Sequence, residues 1–275
     1  MSRLSQVFAD LQADKRRGLI PYVVAGDPSA EGTVPLMHSL VDAGADILEL
    51  GVPFSDPMSE GPVIQKGHER ALANGMSLHR VLSMVAEVRK DNNRTPIVMM
   101  GYANPIERFG YEAFAAASAE AGVDGLITVD LPPEEVDTID GALKDVGLDN
   151  IFLISPTTPE PRAQRIVERA RGFIYYVAVK GVTGSGELDT DEVARNVALI
   201  REKTSLPIAV GFGIKNAASA SAVAASADAV VVGSALIAEM EQKARSAEGL
   251  EEIQIHSAAV KLLQSIRVGV DSSPS

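Results

Sequence analysis

Two carboxylates and a set of glycines are the residues whose types and spacing can do chemistry in this chain. Glu49 lies inside the apolar run ADILEL, and the segment that follows, GVPFSDPMSEGP, adds Asp56 and Glu60. Alternate side chains of a strand face opposite sides, so Leu48 and Leu50 point one way and Glu49 the other. Ionised glutamate is seldom buried without a partner. Glu49 is therefore either a core residue held by hydrogen bonds or a general acid/base whose pKa burial raises. A carboxylate on a strand and another on its loop can address one ligand from two sides.

The glycines cluster late in the chain, in KGVTGSGE (180–187), GFGIKN (211–216) and GSALI (233–237). Glycine lets backbone N–H groups approach an anion closely, and a helix beginning near Ser234 presents its positive end. Gly181, Gly184 and Gly186 make a loop that can close as a lid. Such glycines also serve as plain turn punctuation. Three Gly-rich loops at successive strand ends favour a phosphate cradle.

These groups need a scaffold, and the hydrophobic pattern supplies one. Nearly continuous apolar runs recur at Leu19–Ala25, Ala45–Leu50, Pro96–Met100, Gly125–Val129, Asn150–Ser155, Phe173–Val179, Pro207–Phe212 and Asp228–Gly233. That is the signature of parallel strands covered on both faces. Helically periodic stretches such as LHRVLSMVAEVRK and DEVARNVALIREK fill the gaps. Eight strands alternating with helices predict a single TIM-type (β/α)₈ barrel. An extra N-terminal helix is expected over Leu4–Leu11 and an extra C-terminal one over Glu251–Ile266. We expect one domain over 1–268, with 269–275 as a frayed tail. In such a barrel the chemistry belongs at the carboxyl ends of the strands, where Glu49 and the glycines fall.

Composition narrows the chemistry. Among 275 residues there is no cysteine, which removes disulfides, thiolate metal sites and a thiol nucleophile. His38, His68, His79 and His256 show no ligand spacing; we expect them to be surface or packing residues and expect no catalytic metal. Met99 and Met100 are candidates for the barrel mouth. No dinucleotide or ATP motif is present. The net charge of −12 disfavours nucleic acid and anionic membranes as partners. It also argues against a phosphorylated substrate held by a basic patch, although backbone amides need no basic residues. The amphipathic start and the lack of a run of about 20 apolar residues lead us to expect a cytoplasmic protein without signal or span.

The segment LELGVPFSDPMSEGPVIQ resembles the signature of the tryptophan synthase alpha subunit family. The likeness continues through PYVVAGDP, GYANP, VDLPPEE, ISPTTP, YYVAVKGVTG, GFGI and GSALI. It implies a lyase of tryptophan biosynthesis that cleaves indole-3-glycerol phosphate to indole and glyceraldehyde 3-phosphate. It further implies no cofactor in this subunit, and a beta-subunit partner that carries pyridoxal phosphate in an alpha-beta-beta-alpha complex. By resemblance Glu49 shuttles protons and Glu60, where the family usually has aspartate, stabilises charge at the indole nitrogen. Tyr22 (often phenylalanine) and Tyr175 line the substrate, and Thr183 belongs to the lid. Gly184, Gly213, Gly233 and Ser234 hold phosphate. Asp56, Asn104 and Pro132 lie at the partner interface, with turn capping the alternative role for Asp56. A rival mechanism places a Schiff base on Lys180, as in class I aldolases; the bland reading of that lysine is a solvated loop residue.

Overall fold

In the computed structural model, which describes residues 2–178, 189–211, 213–246 and 252–273, eight parallel strands close into a barrel. They are β1 (Gly18–Val24), β2 (Leu48–Gly51), β3 (Ile97–Gly101), β4 (Gly125–Thr128), β5 (Asp149–Ile154), β6 (Ile174–Val177), β7 (Ile208–Gly211) and β8 (Ala229–Val232). Each pairs with its sequence neighbour, and β1 closes on β8 through Leu19 opposite Val230. All eight expected strands are present, with ends shifted by up to three residues.

Twelve helices surround the barrel among the described residues. They are α1 (Arg3–Ala13), α2 (Ala30–Asp42), α3 (Pro62–Ala73), α4 (Leu78–Asp91), α5 (Ala103–Phe109), α6 (Tyr111–Ala121), α7 (Asp137–Asp145), α8 (Glu160–Arg169), α9 (Thr190–Arg201), α10 (Ala217–Ala224), α11 (Ser234–Ser246) and α12 (Glu252–Asp271). Both terminal helices are present. The second runs to Asp271 with Gly269 and Val270 buried, so ordered packing continues three residues beyond the expected boundary at 268.

The period of two decides which side chains enter the barrel. Ile20, Ile47, Val98, Ile127, Ile151 and Val231 form an interior cluster distinct from the larger one between strands and helices. The amino-terminal end of the barrel is plugged. Leu4, Phe8 and Leu11 on α1 join that interior cluster, each contributing roughly 2 kcal/mol by burial. Phe8 meets Phe173 with ring centroids 5.8 Å apart. Beside the plug, Asp124 accepts from Arg89, Arg3 and the Ile97 N–H. With that end sealed, a ligand can enter only from the carboxyl ends of the strands.

α12 is pinned by charge as well as by apolar contact. Its buried Arg267 donates to Asp46 at 2.9 Å, and Asp46 also accepts from the Leu19 N–H at 2.8 Å. Asp46→Asn keeps an acceptor for the strand but removes the charge facing Arg267. We expect a loss of about 1–2 kcal/mol in urea unfolding, with catalytic constants unchanged.

Candidate active site

The open end of the barrel gathers the ionisable residues. Tyr22 stands opposite Glu49 in the β1–β2 register. Glu49 is 1% exposed, and neither carboxyl oxygen has a hydrogen-bond partner among the described residues. Burial, and secondarily the charge of Glu60, push its pKa up to about 8. Glu60, half-buried on the loop after β2, is pushed up to about 7 by burial. The charge of Glu60 thus helps to keep the proton on Glu49. Burial and then the two glutamates hold Tyr22 and Tyr175 well above the usual phenol value, so both stay protonated donors.

Glycines make room for the two phenol rings. A Cβ on Gly51 would come within 2.3 Å of the Tyr22 hydroxyl, and one on Gly211 within 2.3 Å of the Tyr175 hydroxyl. A Cβ on Gly233 would lie 3.0 Å from the Tyr22 ring. Tyr22 thus bridges the mouth from Gly233 at the end of β8 to Gly51 at the end of β2. Met100 packs with the interior cluster, whereas Met99 belongs to the outer one, so only Met100 contributes to the mouth.

The expected phosphate residues converge from adjacent strands. Gly213 follows β7 with φ +79°, a left-handed conformation that favours glycine. Gly233 ends the β8 segment, and Ser234 is exposed as the first residue of the 13-residue α11. Leu236 and Ile237 N–H already donate to the Gly233 carbonyl, so the N–H groups this helix start offers to an anion are those of Ser234 and Ala235. Thr183, Gly184 and the alternative Lys180 lie outside the described residues.

The loop after β2 is fastened to its surroundings by residues that sequence reasoning missed. The Phe54 N–H donates to His68 Nδ1 at 3.1 Å, and the Phe54 ring stacks on Tyr102 at 5.1 Å. The Ser59 N–H donates to the Tyr102 hydroxyl at 3.3 Å, and Gln65 donates to the Glu60 carbonyl at 2.8 Å. Tyr102 closes β3, and the next residue's N–H donates to Asp130 after β4 at 2.7 Å. The segments that follow β2, β3 and β4 are thus joined in sequence. They carry Asp56, Asn104 and Pro132, of which the first two are exposed, and Met58 stands 80% exposed among them.

The histidines divide. His79 stacks on Phe109 at the surface, and His256 is buried in α12. His68, 2% exposed on α3, was expected to do no more than pack, yet it bonds both the site loop and Tyr22. Periodicity held the clue: Ile64, His68 and Ala71 share one face of a helix whose Gly61-Pro62 start reads as loop.

Residues 8–265 match the family model described as tryptophan synthase alpha chain. The chain belongs to the tryptophan synthase alpha chain family. A tryptophan synthase alpha chain from Thiobacillus denitrificans is 56% identical over 274 residues, covering 99% of this chain and 97% of that one. The Bordetella parapertussis alpha chain is 54% identical over 271 residues, covering 98% and 95%. Tryptophan synthase subunit alpha from Legionella pneumophila superposes with a TM-score of 0.90 at 44% identity, over 98% of this chain and 99% of that one. The alpha chain match begins within α1 and runs into α12, so the family resemblance covers the plug, the barrel and the terminal helix together.

Proposed function

We propose that this chain is the lyase subunit that splits indole-3-glycerol phosphate into indole and glyceraldehyde 3-phosphate, with Glu49 and Glu60 as the two working carboxyls. The observation that supports these roles is a fully buried, unpartnered glutamate at the barrel mouth, close enough to a second carboxyl on the next loop to feel its charge.

The reaction needs a proton at indole C3, and Glu49 in its neutral form supplies one. The ring becomes a cation with charge on its nitrogen, which the Glu60 carboxylate meets. The C3–side-chain bond breaks, and its electron pair restores the aromatic indole. The side-chain hydroxyl gives its proton back to Glu49 as the aldehyde forms, so the carboxyl ends as it began. Tyr175, opposite Ala209 and over Gly211, walls the site from β6. Phosphate is held at Gly213, Gly233 and Ser234. Backbone dipoles do this work, so the acidic total of the chain does not oppose it.

Indole then passes to a beta subunit, which carries pyridoxal phosphate; this subunit uses no cofactor. The surface for that partner is the linked loop set bearing Asp56, Asn104, Pro132 and the exposed Met58. No described helix is long and apolar enough to cross a membrane, and the setting we propose is the cytoplasm.

The test is indole release from indole-3-glycerol phosphate by wild type and Glu60→Asp, with and without beta subunit. We expect Glu60→Asp to keep at least a tenth of the wild-type rate, because the charge survives one methylene shorter. Adding beta subunit should raise the rate and form a complex. An inert wild type overturns the reading, and borohydride trapping of substrate on Lys180 would transfer it to the Schiff-base mechanism.

A further inference from the structure

His68 receives a hydrogen bond on one ring nitrogen and faces a hydroxyl with the other. Its Nδ1 lies 3.1 Å from the Phe54 backbone nitrogen, and its Nε2 lies 3.4 Å from the Tyr22 hydroxyl. A backbone N–H can only donate, so Nδ1 must be the unprotonated nitrogen. The single proton of the neutral ring then sits on Nε2, and Nε2–H donates to the Tyr22 oxygen. Burial pushes the His68 pKa down to about 4, which keeps the ring neutral at ordinary pH.

This fixes the direction of Tyr22 as well. Its oxygen accepts on the side facing α3, so its own proton must point elsewhere. The ring runs from Gly233, the proposed phosphate end, which its Cβ and Cδ1 adjoin, to Gly51, two residues past Glu49, which its hydroxyl adjoins. In indole-3-glycerol phosphate, the stretch between phosphate and indole is the glycerol chain with its hydroxyl oxygens.

We propose that His68 is a positioning residue that ties the loop after β2 to Tyr22 and turns the Tyr22 O–H into the barrel mouth as a donor to a glycerol hydroxyl of the substrate. The proposal rests on the reading of the site given above. It makes Tyr22 a specificity-determining residue, and it divides the work of His68 between two separable bonds.

The two bonds can be cut one at a time. His68→Asn keeps an acceptor near Nδ1 for Phe54 but loses the donor to Tyr22. His68→Gln keeps a donor near Nε2 but loses the acceptor for the loop. We expect Tyr22→Phe and His68→Asn each to raise KM for indole-3-glycerol phosphate about fivefold, and the double variant to be no worse than either. Binding of indole-3-propyl phosphate, which has no side-chain hydroxyl, should stay within about twofold of wild type in both. His68→Gln should instead lower kcat, through the loop bearing Glu60, with KM little changed. Multiplying effects of Tyr22→Phe and His68→Asn, or equal losses for the two ligands, overturn the proposal. Nitrogen-15 NMR of the wild-type ring at pH 7.5 reads the tautomer without any activity. A protonated Nδ1 or a charged ring overturns the His68 assignment, whether or not the chain cleaves its substrate. An unprotonated Nδ1 in a wild type that is inert supports the tautomer while the reaction assigned to the site fails.

Discussion

Glu49→Gln is expected to lose at least a thousandfold in indole release and, at neutral to alkaline pH, to unfold at higher urea than wild type. The loss follows from chemistry. An amide can neither give the proton that C3 needs nor take the one that the hydroxyl must shed, and general acid/base catalysis supplies about 10²–10⁴ per step. Steady-state assay of indole release reads it directly; a variant retaining a tenth of the rate would remove Glu49 from the mechanism.

The gain in stability follows from burial. The ordinary value for this carboxyl is 4.5, and in the folded chain it is about 8. Between those values the folded state holds a proton that the unfolded state has released. Stability from this group is therefore complete below 4.5 and drains away as pH rises to about 8. Each unit of difference corresponds to about 1.4 kcal/mol, so the drain is on the order of 2–4 kcal/mol once partial solvation is allowed. Glutamine does not titrate. Its advantage over wild type should be absent at pH 5 and open steadily towards pH 8 in urea titrations. Glu60, raised from 4.5 to about 7, adds a smaller slope of the same sign in both proteins. Losing stability for the sake of a neutral acid is the trade that buried catalytic carboxyls make.

The parts of this fold that the sequence displayed are those where one physical signal acts alone. Strands covered on both faces must be apolar throughout, so all eight were visible as runs. Glu49 stood out because a charge interrupts such a run, and the glycines after β7 and β8 because glycine lets backbone N–H groups approach an anion. Helix α3 was hidden: Gly61 and Pro62 mark a loop, Pro62 is in fact the first helical residue, and Lys66 and Glu69 face outwards. With α3 unseen, His68 had no face to lie on. α5 and α7 were missed for a related reason, being short and led by loop-like residues. Net charge misled in the other direction. It weighs the whole surface, whereas the proposed phosphate cradle is made of amides that carry no formal charge.

Gly211→Ala tests whether the tyrosine walls, rather than the carboxyls alone, make the site. The new methyl carbon would sit 2.3 Å from the Tyr175 hydroxyl oxygen and 2.6 Å from a ring carbon, distances that no packed structure tolerates. The neighbours of Gly211 are strand residues at the core, Val210 and the paired Val231, so the backbone of β7 cannot retreat. The Tyr175 ring must swing out by more than 1 Å, and displacements of that size cost about a hundredfold in rate. We expect kcat/KM to fall at least a hundredfold while both glutamates remain in place. Gly141→Ala is the matching control. It lies within α7 with no atom near the position of an added methyl, so helix propensity should raise stability by about 0.5–1 kcal/mol and leave kinetics unchanged. If Gly211→Ala also leaves kinetics unchanged, the Tyr175 ring does not shape the reacting position.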